Sequence, residues 1–158
     1  MGAINNAFNQ AAGVIAGSAL AIKHAKETEE AKMNTADSSA LIARNQARAA
    51  NDEANAAINE AKKPGGLYEQ LAIAEVNAKK AGKAYNRAVK RKNGSYRTRI
   101  EKFTELDAAN KAVDELNIKS QAIKNIINRA EEQRIYASKA TQMALDAKEK
   151  FKKHWGGK

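Results

Sequence analysis

The sequence predicts an all-α protein, an elongated helical hairpin or coiled-coil bundle with alanine-rich heptad seams, and one that associates with copies of itself. Three observations carry this. One proline stands among 158 residues, and alanine, lysine, glutamate and glutamine, all good helix formers, are abundant. Alanines recur at alternating steps of four and three, the spacing that keeps one helix face against a neighbour. Finally, Phe8, Tyr68, Tyr85, Tyr96, Phe103, Tyr136, Phe151 and Trp155 are the whole aromatic complement. Alanine buries little surface at roughly 25 cal/mol per Å², so a compact globule of this composition would be poorly stabilised. Close helix contact, self-association or a partner must supply the rest.

The first segment, residues 1–22, carries no charged side chain. Its apolar block, Ala11 to Ile22, is twelve residues long, short of the ~20 that cross a bilayer as a helix. Asn5, Asn6, Asn9 and Gln10 add length but dilute the hydrophobicity. Gly13 and Gly17 have the G-x-x-x-G spacing that lets backbones approach closely, with Ile15 and Leu20 beside them. The segment is expected to meet a membrane or to pack on another helix. With no basic residue ahead of the block, it does not read as a cleavable leader.

Residues 23–63 read as one long helix. Its signal is the ladder Ala36, Ala40, Ala43, Ala47, Ala50, Ala54, Ala57 and Ala61, a heptad seam on which a partner helix can sit unusually near. Asn34, Asp37, Ser38 and Ser39 weaken helix propensity before the ladder, and a kink is expected there. Pro64-Gly65-Gly66 then breaks the chain. A second ladder follows at Leu67, Leu71, Ala74, Ala78, Ala81, Tyr85 and Ala88. Two matched seams across so short a break predict that residues 64–94 fold back as an antiparallel partner of 23–63.

Asn93-Gly94-Ser95 is the next punctuation, with Gly94 suited to a left-handed cap and either Ser95 or Thr98 to start a new helix. A full reversal and a kink both fit this break. Residues 95–158 read as a long helix with a frayed tail at Trp155-Gly156-Gly157-Lys158. Ile123, Ile126, Ala130, Gln133, Ala137, Ala140, Ala144, Ala147 and Phe151 keep the rhythm.

No catalytic motif is present, and an enzyme is not expected. There is no glycine-rich phosphate loop, no H-E-x-x-H and no G-x-S-x-G. The pairs Glu29-Glu30, Asp114-Glu115 and Glu131-Glu132 diverge around a helix and read as solvated faces. Without cysteine there are no disulfides or thiolate metal sites. His24 and His154 make no zinc site unless carboxylates gather round them. No cofactor is expected.

Charge is more informative. The formal net charge is +10, which points to an anionic partner. Residues 23–63 balance seven basic against seven acidic side chains. Lys79, Lys80, Lys83, Arg87, Lys90, Arg91, Lys92, Arg97 and Arg99, by contrast, have no acid among them, and Tyr85 and Tyr96 are interleaved. Such a stripe suits contact with the phosphates of DNA or another polyanion. An acidic protein surface would suit it too. Near the end, Lys148, Lys150, Lys152 and Lys153 alternate with Phe151 and Trp155, a mixture that fits a membrane interface or simply a charged helix end.

An uncharged Gly/Ala-rich start with Gly13 and Gly17, then Lys23-His24-Ala25-Lys26-Glu27 and a long Ala/Gln/Asn/Arg helix, resembles the small internal virion proteins of short-tailed bacteriophages. It is also similar in layout to the DNA-pilot proteins of microviruses. The likeness covers residues 1–63 best. It implies a protein stored in the virion with other virion proteins, ejected with the genome, and assembled in the host cell envelope into a conduit for DNA. The alternative is a nucleic-acid-packaging or scaffold protein that docks inside a protein shell and never meets a membrane.

Overall fold

The computed structural model describes residues 2–156, without the side-chain surroundings of Gly2, Phe8 and residues 11–13. Three α-helices account for almost all of them: α1 (Gly2–Lys62), α2 (Leu67–Lys90) and α3 (Tyr96–Trp155). There is no strand among the described residues. The segments expected as 1–22 and 23–63 are one uninterrupted helix, and α1 also continues through Asn34–Ser39. The weak formers there are outweighed by the good formers on either side.

Pro64 ends α1, because it offers no backbone donor and restrains the residue before it. Gly65 takes φ +73°, the left-handed region glycine enters freely. The Gly66 N–H then donates to Lys63 O at 2.8 Å. The start of α2 has no side-chain cap from Gly66. Instead Glu69 accepts from the Gly65 N–H at 2.7 Å, and Gln70 Nε2 donates to Gly65 O at 2.7 Å. Glu69 also places a negative charge where the helix dipole favours one.

The chain divides into two compact units: residues 1–47 with 133–158, and residues 48–132. In the first, α1 and the end of α3 run antiparallel, as their ion pairs and hydrogen bonds show. Asp37 meets Lys148 at 2.9 Å, and Glu29 meets His154 at 3.3 Å and Trp155 further on. Ala40 and Ala43 are buried on α1, and Ala137 and Ala144 on α3.

In the second unit α2 runs antiparallel to α3, whereas the sequence pattern paired 64–94 with 23–63. Tyr85 meets Phe103 edge to face at 5.8 Å between ring centroids. Gly82 faces Leu106, and Ala74 lies across a groove from Ala109. Positions climb on α2 as they fall on α3, so the reversal sits at 91–95. On α3, Leu106, Ala109, Val113 and Leu116 are covered positions in this stretch. Ile123, Ile126, Ile127 and Ala130 are also covered, as are Ala54, Ala57, Ile58 and Ala61 of α1. A face repeating in threes and fours identifies what is covered and not by which helix.

All eight predicted seam alanines from Ala36 to Ala61 are buried or half-buried, and the covered positions begin earlier still, at Glu29 and Met33. Among the described residues every fully buried side chain is an alanine: Ala40, Ala43, Ala54, Ala61, Ala88, Ala130, Ala137 and Ala144.

Two ends differ from expectation. Gly94 does not take the left-handed conformation, because α2 closes on Arg91 with an extended backbone, φ −70° and ψ 120°. It is tightly placed all the same: a Cβ there would stand 3.3 Å from Ala88 O. Trp155 is not frayed but ends α3 half-buried, its indole N–H donating to Glu29. Of the rest of the expected tail, Gly156 donates its N–H to Lys152 O at 2.9 Å, and Gly157 and Lys158 lie outside the described residues.

Candidate nucleic-acid interface

The cationic stripe belongs to the second unit and is built by the α2–α3 reversal. At 100° per residue, Lys79, Lys80, Lys83, Arg87 and Lys90 fall on the side of α2 away from its covered positions 78, 81, 85 and 88, and Arg91, the C-cap, flanks Ala84 and Ala88. Lys92 lies in the turn, and Arg97 and Arg99 lie in the first turns of α3. Of these nine, all are exposed except Arg99, which is half-buried. Folding thus gathers residues that are adjacent in sequence around one end of a helix pair, and leaves them in water.

Few of the nine are neutralised. Arg97 pairs with Glu101 at 3.2 Å. Arg99 Nη2 donates to Arg91 O at 3.5 Å, while its Nε is shut off from solvent with no acceptor. Arg87 and Arg91 stand one turn apart with no acid beside them. Like charges at that spacing repel, and an anion that lies between them relieves the repulsion.

A groove of about 340 Å³ opens at the turn, lined by Arg87, Arg91, Asn93, Ser95, Thr98 and Lys102 among others. Ser95, Thr98 and Lys102 were not among the expected contact residues. Lys102 was masked by the acids next to it, since Glu101 and Glu105 end the acid-free run, and it pairs with Glu105 at 3.2 Å. The hydroxyls carry no charge signal and are brought in only by the reversal of the chain.

The chain matches no family model, and no similar chain is found among curated proteins or solved structures. What it can do must be read from its own residues.

In the first unit, α1 from Ala3 to Thr28 is exposed at every described side chain. Ile15 is 70% and Leu20 56% exposed, and a Cβ added at Gly17 would meet nothing within 4 Å. No helix of this chain therefore lies against Gly17, Ile15 or Leu20; the surroundings of Gly13 lie outside the described residues. No described helix is long and apolar enough to cross a membrane.

The lysine-rich end of α3 turns its rings inward. Phe151 and Trp155 are half-buried, and Glu29 accepts from Trp155 and lies 3.3 Å from His154 Nδ1 and 3.9 Å from Lys150 Nζ. The Trp155 hydrogen bond, followed by His154 and Lys150, holds the Glu29 carboxyl below its ordinary pKa, against a smaller opposing effect of desolvation. Glu29 is thus part of a cluster and not a solvated face, whereas its neighbour Glu30 is exposed. Among the described residues no three metal-ligating side chains come together.

Proposed function

We propose that this protein is a non-enzymatic helical structural protein of a virus particle that binds DNA through the α2–α3 turn. In this reading it is packaged inside the virion, leaves with the genome, and helps to form a conduit for DNA across the host envelope. The observation that carries it is the cationic surface gathered at the turn from a stretch with no acid between Lys79 and Arg99, where the Arg87 and Arg91 side chains are in no ion pair. Phosphate contacts of that kind bind without reading bases. The envelope step is supported by the uncharged stretch Ala3–Ile22, exposed at every described side chain, which would lie along a lipid interface rather than cross it. Self-association through apolar side chains left exposed, such as Ile118 and Met143, would build the tube, and the virion setting rests on the resemblance in layout.

Anisotropy of a labelled DNA duplex is the test. Binding is expected to weaken at least tenfold between about 50 and 200 mM salt, since several phosphates are neutralised. No binding at the lower salt would sink the reading. Leakage from anionic vesicles separates the two settings. If the conduit reading holds, the wild type leaks contents and a Gly13→Leu/Gly17→Leu variant leaks differently. If DNA binding survives deletion of residues 1–22 and neither protein touches vesicles, the protein is instead a packaging or scaffold component within a shell.

A further inference from the structure

We infer that the groove at the α2–α3 turn is a seat for a single phosphate group, namely one phosphodiester of a nucleic-acid backbone. The inference rests on the DNA-binding reading but narrows it from a diffuse surface to one built position. Four kinds of donor are brought together there. Arg87 and Arg91 contribute guanidinium groups one helical turn apart, and Lys102 reaches the same groove from α3.

Ser95 and Thr98 add hydroxyls, and with them comes the start of a 60-residue helix. The first backbone hydrogen bond of α3 is donated by Arg99 to Ser95 O, so the N–H groups of Tyr96, Arg97 and Thr98 stand ahead of the ladder. They are free to meet an anion, and the helix dipole favours one. No carboxylate lines the groove. Arg99 adds a separate observation: its Nη2 donates to the O of Arg91, a lining residue, at 3.5 Å, and its buried Nε has no acceptor. The opposing influence is the carbonyl end of α2. It is blunted because Gly94 N–H and Arg99 Nη2 both donate to Arg91 O.

Guanidinium groups bind phosphate oxygens in pairs with fixed geometry, whereas lysines act as point charges. The seat should therefore depend on Arg87 and Arg91 beyond their contribution to net charge. The full chain is titrated by ¹⁵N NMR with sodium phosphate, and with sodium chloride at matched ionic strength. Saturable shifts at the amides of Tyr96, Arg97 and Thr98 are expected with phosphate alone. The same amides should shift with a DNA duplex.

Arg87→Gln/Arg91→Gln should abolish the phosphate titration and weaken duplex binding about tenfold or more. Lys79→Gln/Lys80→Gln removes equal charge outside the groove; it should leave the phosphate titration intact and weaken the duplex roughly threefold. Circular dichroism confirms that both variants remain helical. Equal losses in the two variants, or amides that respond alike to phosphate and chloride, would overturn the seat. If the duplex binds while those amides stay silent, the seat fails and the DNA reading stands. If phosphate titrates but no duplex binds, the seat is for a free phosphate group and both the phosphodiester assignment and the DNA reading fall.

Discussion

At the scale of single residues, space decides. Ala43 is 1% exposed, and nothing larger fits without moving a helix. Ala43→Leu is expected to destabilise by about 1–3 kcal/mol through overpacking, read as a lower melting temperature by circular dichroism. Gly17→Leu, whose Cβ meets nothing within 4 Å, should not lower the melt and can raise it slightly, because leucine is the better helix former. That contrast is a check on which glycines and alanines matter to the folded chain. At the α1–α2 joint, a Cβ on Gly66 would come within 2.7 Å of the Ala61 and Lys63 carbonyl oxygens. Backbone atoms cannot step aside as side chains do, so Gly66→Ala should cost more stability than Gly65→Ala. The latter is strained only by its positive φ, at about 1 kcal/mol.

Among elements, the clasp between α1 and the end of α3 responds to pH. Glu29 has its pKa lowered because Trp155, and then His154, favour the charged carboxylate. A lowered carboxyl pKa means stabilisation that is full above the ordinary value and is lost as pH falls through the lower, folded one. Trp155 is the only tryptophan, so its fluorescence should shift in acid as the clasp opens, and Glu29→Gln should show the shifted signal already at neutral pH. An acid-insensitive signal would exclude the clasp. Helix positions and covered faces were legible from periodicity: Leu67, Leu71, Ala74, Ala78, Ala81, Tyr85 and Ala88 are all turned toward a neighbour. Pairing was not. The ladders of α1, α2 and α3 have the same spacing and nearly the same side chains, so the nearest break at Pro64 passed for the reversal. What selects the partner is a few non-periodic contacts, such as Tyr85 with Phe103 and Asp37 with Lys148. The phosphate groove was half-legible for the same reason: its arginines announce themselves by charge, but its serine, threonine and Lys102 arrive only with the turn.

For the molecule as a whole, a buried set made only of alanine leaves Ile, Leu, Val and Met side chains with much of their surface in water; Ile118, Met143 and Ile73 are each more than half exposed. Burial of such surface between copies would stabilise by mass action. The melting temperature is therefore expected to rise with protein concentration, and a midpoint constant over about a hundredfold range would argue for a lone chain. The alanine packing has another effect. Methyl groups make a smooth track: sliding one helix by seven residues, about 10.5 Å, sets some of these alanines upon alanine again, although Met33 would then stand on Ala144. Ala40, for instance, would leave the level of Ala144 and find Ala137. Along such a track the polar contacts are stops, and Asp37–Lys148 and Glu29–Trp155 act as detents between α1 and α3. Release of both would let the helices change register without ever parting.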